Sequence, residues 1–220
     1  MTIDKLYPEI LSKSQKEILE TLSFFKKYKF YLAGGTALAL QIGHRTSVDF
    51  DFYKETKIRP LILLSEFKKN FINTKIKITE ATSSDFRTVI RNVDLTAFYY
   101  PYPLIRDFVK FSDINLASVE DITAMKIIAI VQRGRQRDFF DIYYLLKRYT
   151  LGQILEFVQE KHPEYDIYTC LRALIYFQDA DGEGRDTRIK LFDKTATWSK
   201  VKKVLLIEVK NFCKNRGIRI

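Results

Sequence analysis

Apolar positions fall at helical spacing over residues 14–29, where Ile18, Leu19, Leu22 and Phe25 form one stripe among lysines and glutamates. Phe30-Tyr31-Leu32-Ala33 is a short apolar strand, stopped by Gly34-Gly35. Thr36 to Gln41 is rich in helix formers and ends near Gly43. From Ser47 to Tyr53 the chain alternates, with Val48, Phe50 and Phe52 set against Asp49, Asp51 and Tyr53. That period of two predicts a strand with two unlike faces. Pro60 opens a helix to about Phe71, and Lys75 to Glu80 alternates again. Phe86 to Tyr100 reads as a long strand or hairpin arm broken by Pro101 and Pro103, and Val109 to Leu116 as a weaker strand.

From Ser118 the pattern turns helical. Ser118-Val119-Glu120-Asp121 loosely fits a capping box. Helices are predicted over about 119–132, 136–148, 151–161, 165–177 and 197–214. The last carries Trp198, Val201, Leu205, Val209 and Phe212 on one stripe. Asp181 to Asp186 reads as a polar loop. The order is an α/β part followed by an all-helical part, an α+β chain with domains expected over 1–117 and 118–220. No internal repeat or low-complexity segment is visible.

Composition narrows the class. The 220 residues carry 37 Lys+Arg against 27 Asp+Glu, a formal net charge of +10, with 46% apolar residues. That is a globular composition. The longest uncharged run, Phe30 to His44, is too short and too interrupted for a membrane span. Met1 to Lys5 lacks a basic start followed by an apolar block, so no signal peptide is expected. Cys170 and Cys213 stand far apart, and His44 and His162 are the only histidines. A disulfide scaffold or a multi-histidine metal site is therefore not expected, and the expected location is a reducing cytoplasm. Residues 181–220 hold 11 basic and 5 acidic side chains. That surplus suits a polyanionic partner or a solvated face.

The candidate chemistry sits between residues 31 and 52. A strand runs into Gly34-Gly35, where missing side chains let a phosphate approach backbone N–H groups, and the following helix points its N-terminus at the same place. Asp49 and Asp51, two apart on a strand, leave the same face with Cα atoms about 6.5–7 Å apart. Two carboxylates at that reach can grip a divalent cation, and hard oxygen donors favour Mg²⁺ or Mn²⁺.

Ala33-Gly34-Gly35, thirteen residues, then Asp49-Phe50-Asp51-Phe52 resembles the pattern of the nucleotidyltransferase superfamily. With Gly43-His44-Arg45 and Ser47-Val48 before the carboxylates, it resembles the AbiEii/AbiGii branch, bacterial toxins of abortive-infection and type IV toxin–antitoxin systems. Leu116 to Asp121 with Met125-Lys126, and Arg133-Gly134 with Arg137-Asp138-Phe139-Phe140-Asp141, resemble that branch's later helices. The resemblance covers residues 28–148.

The resemblance implies a nucleotidyltransferase-type mixed β-sheet with flanking helices, followed by a helical bundle completing the cleft. It implies metal-dependent transfer of a nucleoside monophosphate from an NTP to an acceptor, with RNA and tRNA ends suggested by some relatives, and a cognate antitoxin. Gly34, Gly35 and Thr36 would seat the phosphates, with Arg45 and Ser47 beside them. Asp49 and Asp51 would hold the metal. A third metal-site carboxylate is implied on a neighbouring strand, and Asp94, on the face of Asn92 and Thr96, is the candidate, helping a metal activate the acceptor hydroxyl. Lys126 would meet the triphosphate, and Asp138 or Asp141 would orient a base or polar partner. The structural alternatives stay open: Asp94 as an edge-strand charge, Lys126 as a snorkelling lysine, Asp138 and Asp141 as helical partners of Arg137 or Lys147, and Arg45 as a salt-bridge partner of an aspartate. His44 is read as a turn or capping residue. Two other functions remain: a non-catalytic nucleotide- or nucleic-acid-binding protein on this scaffold, and transfer to a small molecule or protein.

Overall fold

A computed structural model describes residues 5–183 and 186–219. Met1 to Asp4, on which the signal-peptide reading rests, and Gly184 and Arg185 of the expected polar loop lie outside the described residues. The chain divides into two compact units, residues 1–118 with 188–190, and residues 119–187 with 191–220.

The first unit begins with α1 (Lys13–Thr21) and α2 (Phe24–Lys27), then β1 (Tyr31–Ala33), α3 (Gly34–Ile42), β2 (Asp49–Lys54) and α4 (Pro60–Asn70). It continues through β3 (Ile76–Ala81), β4 (Asp85–Ile90), β5 (Val93–Tyr99), β6 (Val109–Phe111) and β7 (Ile114–Leu116). The strands form one seven-stranded sheet in the order β3-β4-β5-β2-β1-β7-β6. Pairing is mixed: β2 runs parallel to β5 and β1 parallel to β7, while the other neighbours are antiparallel.

Three expected elements divide. The helix over 14–29 breaks at Leu22-Ser23 into α1 and α2. The stretch Phe86 to Tyr100 is two strands, β4 and β5, joined at Arg91 and Asn92, both with positive φ (49° and 63°). Two consecutive left-handed residues are what a tight hairpin turn requires. Val109 to Leu116 likewise splits at Ser112, with φ 50°.

The alternation in β2 becomes a division of labour. Phe50 and Phe52 are fully buried, and Phe52 lies 4.5 Å from the ring of Phe25. Phe67 of α4 stacks on Phe86 of β4 at 5.3 Å and meets Phe25 edge-on at 5.8 Å. The helices α2 and α4 thus pack on the apolar face, and each buried ring contributes about 2–3 kcal/mol of transfer free energy. Asp49 and Asp51 are left on the opposite face.

The second unit is helical: α5 (Val119–Arg133), α6 (Gln136–Leu145), α7 (Leu151–Lys161), α8 (Ile167–Ile175), α9 (Gln178–Glu183) and α10 (Trp198–Arg216). Helix α5 packs against α6, α7 and α8, and α10 closes over the same three. Val201, Leu205 and Val209 are buried as the stripe predicts, and Cys213 rather than Phe212 completes it. Trp198 fits among Phe139, Phe140 and Phe177 at 5.7–5.9 Å. Helix α9 takes up the first half of the expected polar loop. No helix among the described residues is long and apolar enough to cross a membrane.

Candidate active site

The diglycine and the carboxylates meet in the first unit. β1 and β2 are antiparallel neighbours with Ala33 opposite Asp51, so the chain leaves β1 beside that carboxylate. Gly34 turns it with φ +64°, and helix α3 starts there, capped by Ala33, with no side-chain cap and no acid in its first turn. Asp51 occupies the space that a side chain on Gly34 would need. Gly35 is equally confined, against the Arg45 guanidinium and the Ser47 hydroxyl.

Thr36 and Arg45 are drawn inward. The Thr36 hydroxyl donates to the backbone carbonyl of Asp49 and the side chain is 1% exposed. Arg45 is also 1% exposed, and its Nη1 donates to the Thr46 carbonyl at 3.0 Å. Both brace the bend from inside. His44 is 5% exposed, at a bend just beyond the end of α3.

Asp94 is the register partner of Asp49 in the parallel β2–β5 pair, so the two leave the same sheet face side by side. β5 is an interior strand, so Asp94 does not guard a sheet edge. Thr96, partner of Asp51, lies on the same face, while Val93, Leu95 and Ala97 are buried on the other.

The geometry of these acids suits a hard cation in donor chemistry: carboxylate oxygens from adjacent strands, on a partly solvated face, beside an uncapped helix N-terminus. Among the described residues, no three Asp, Glu, His or Cys side chains converge as a ready-made cation cage.

The second set of expected residues lies wholly in the helical unit. Lys126 Nζ stands 2.6 Å from Asp138 and 2.7 Å from Asp141, and both aspartates are fully buried. Arg133 adds a 3.6 Å contact to Asp138. The two acids therefore share one lysine on α5. Lys147, the alternative partner, instead reaches Asp193 at 3.3 Å and lies over the rings of Tyr143 and Tyr144. A second internal pair, Lys161–Asp121 at 2.8 Å, ties α7 to α5. Asp121, expected as a cap partner, is thus engaged 40 residues away.

Two positioning residues escaped the sequence reading. Gln15 Nε2 donates to the Ser47 carbonyl at 3.0 Å, holding the strand that leads to Asp49. Its signal was present, since Gln15 is a polar residue at helical spacing from Ile18, Leu19 and Leu22. Gln41 Nε2 bridges the carbonyls of Ala37 and Ala117, both at 3.0 Å, and fixes the end of α3.

The fold has counterparts among solved structures. The chain resembles a candidate nucleotidyltransferase of H. pylori (TM-score 0.59, 21% identity, 93% of this chain and 97% of that one). It also resembles MenT4, a nucleotidyltransferase toxin of Mycobacterium tuberculosis (TM-score 0.56, 11% identity, 88% and 82%). An uncharacterized protein of Aquifex aeolicus is 30% identical over 210 residues, 93% of this chain and 98% of its own. The model of the nucleotidyl transferase AbiEii toxin family, of type IV toxin–antitoxin systems, matches residues 17–94 and 89–197, and the chain belongs to that family. It is a nucleotidyltransferase.

Proposed function

We propose that the chain is a toxin-type enzyme that moves a nucleoside monophosphate from an NTP to a hydroxyl of an RNA acceptor, with a divalent cation, Mg²⁺ or Mn²⁺, as cofactor. The observation that carries this reading is the placement of Asp49, Asp51 and Asp94 on one open sheet face, with Asp51 packed against the Gly34 bend.

Asp49 and Asp51 would hold the cation, with Asp94 beside them; bound there, it would supply positive charge against the triphosphate and the charge developing at phosphorus. The N-terminus of α3 at Gly34-Gly35 offers backbone N–H groups and the positive end of its dipole to the phosphates. Asp94, the most exposed of the three acids, accepts the proton of the acceptor hydroxyl. The hydroxyl oxygen forms the new bond to the α-phosphorus, the bond to the bridging oxygen breaks, and pyrophosphate leaves. Thr36, Arg45 and Gln15 bind nothing in this scheme. They hold the bend and strand so that the acids and N–H groups stay in register.

A formal charge of +10 supports RNA as acceptor over a small molecule. Membership of a toxin family of type IV toxin–antitoxin systems supports an antitoxin as partner. Incubation with each α-labelled NTP and total RNA, with and without a chelator, tests the reading. Label should enter the RNA fraction from one or few NTPs and only without chelator. Label on the protein or on small molecules alone would exclude the RNA acceptor.

A further inference from the structure

The first unit carries a second feature that the acids do not use. The end of α2, the loop after β2 and the first turn of α4 enclose an open cleft of about 630 Å³. Five cations line it: Lys27, Lys29, Lys54, Lys57 and Arg59. Among the described residues no carboxylate lines it, although Glu66 lies close enough to take a 2.7 Å hydrogen bond from Tyr28 on its wall.

Three observations show that this concentration of charge is built and costly. Lys54 is half-buried, with its ammonium 5.1 Å over the Phe30 ring. Burial, then Arg59 and Lys29, pull its pKa below the ordinary lysine value, so holding its charge there costs free energy. Helix α4, eleven residues long, starts at the cleft with Arg59 as N-cap, no side-chain cap and no acid in its first turn. A cation at a helix N-terminus is the unfavourable sign for the dipole, and an anion bound between them would satisfy both. The lining also includes the buried Ile58 and Leu63.

The register sets this cleft apart from the acids. Lys54 alternates with Tyr53 on β2 and belongs to the face of Phe50 and Phe52, opposite Asp49 and Asp51. Five cations spread over three elements exceed what one phosphate needs and match a run of backbone phosphates.

We propose that this cleft is a docking groove for the sugar-phosphate backbone of the acceptor RNA, which it grips on the sheet face opposite the acids. The proposal rests on the RNA reading above and adds where the RNA is held. Lys57 and Arg59, both exposed, set the electrostatic reach, and Lys54 fixes one phosphate more deeply.

The test is direct binding of a fluorescein-labelled transfer RNA across a salt series, read by anisotropy, with labelled ATP binding in Mg²⁺ as a parallel measurement. The variant Lys57→Glu/Arg59→Glu should bind the RNA at least ten-fold more weakly at about 0.1 M salt. Its log–log salt slope should be shallower by about 1.4–1.8, two phosphates' worth. ATP binding should be unchanged. Lys57→Ala/Arg59→Ala, with circular dichroism matching the parent, should show the same change of slope at smaller amplitude. If the parent binds RNA and both variants bind it equally with the same slope, the groove is overturned while the RNA acceptor stands. If the variants lose ATP but keep RNA, the cleft serves free nucleotide and the proposal is also overturned. If the parent binds no RNA, the acceptor reading falls and the groove with it.

Discussion

Gly34 and Asp51 meet so closely at the β1–β2 junction that a methyl group on Gly34 would stand 2.8 Å from an Asp51 carboxylate oxygen. The missing side chain therefore does two things: it allows φ +64° and it leaves Asp51 room on the acid face.

Gly34→Ala should fail on both counts. The left-handed backbone alone costs about 1–2 kcal/mol, and the clash displaces the Asp51 carboxylate. Displacement of a reacting group by about 1 Å is worth roughly 100-fold in rate. The expected result is a modestly lowered Tm with nucleotidyl transfer reduced by about 100-fold or more. A variant that loses stability yet keeps the parent rate would show that the bend does not set the position of Asp51.

Lys126 separates stability from chemistry. Truncation to Ala leaves Asp138 and Asp141 buried without their shared cation, which should destabilise the fold by about 3–5 kcal/mol. The triple change Lys126→Met/Asp138→Asn/Asp141→Asn removes all three charges together and should recover most of that loss in urea unfolding. Transfer by the folded triple variant then tests whether Lys126 meets the triphosphate. Loss of at least 100-fold with an unchanged far-UV spectrum supports that role, and a retained rate assigns the triad to the core of the helical unit.

His162 gives the helical unit an acid-sensitive element. It is 1% exposed, and burial above all holds its pKa below the ordinary 6.5, against the opposing pull of Glu164 and Asp121 and with Lys161 adding to the lowering. The unfolded chain takes up this proton at a higher pH than the folded one. The contribution of neutral His162 is thus complete above pH 6.5 and is lost as pH falls below it toward the folded value. The parent Tm should drop more between about pH 7.5 and pH 5.5 than that of His162→Asn, measured by differential scanning calorimetry. Parallel curves would remove His162 from the acid response.

The acid pair, its strand and the glycine bend were legible because each leaves a local mark: period-two alternation, adjacent glycines and a helix-forming run up to Gly43. The turn between β4 and β5 was not, since Arg91 and Asn92 do a job usually signalled by glycine. Thr36 and Arg45, expected beside the phosphates, are both buried, a degree of packing that their residue types do not signal. The sharing of Lys126 by Asp138 and Asp141 joins two helices through a turn, a relation that spacing within one helix cannot express. Asp94 was named because the resemblance implies a third carboxylate on a neighbouring strand, and its pairing with Asp49 came only with the parallel register.

The account stands or falls on Asp49 and Asp51 as the acids of nucleotidyl transfer. The measurement is release of pyrophosphate and incorporation of α-labelled NTP into RNA by the parent and by Asp49→Asn and Asp51→Asn, each shown to melt like the parent. The account predicts incorporation by the parent and a loss of about 1,000-fold or more in both variants, the scale expected when transition-state charge is left unbalanced. Transfer at the parent rate by either folded variant would contradict it.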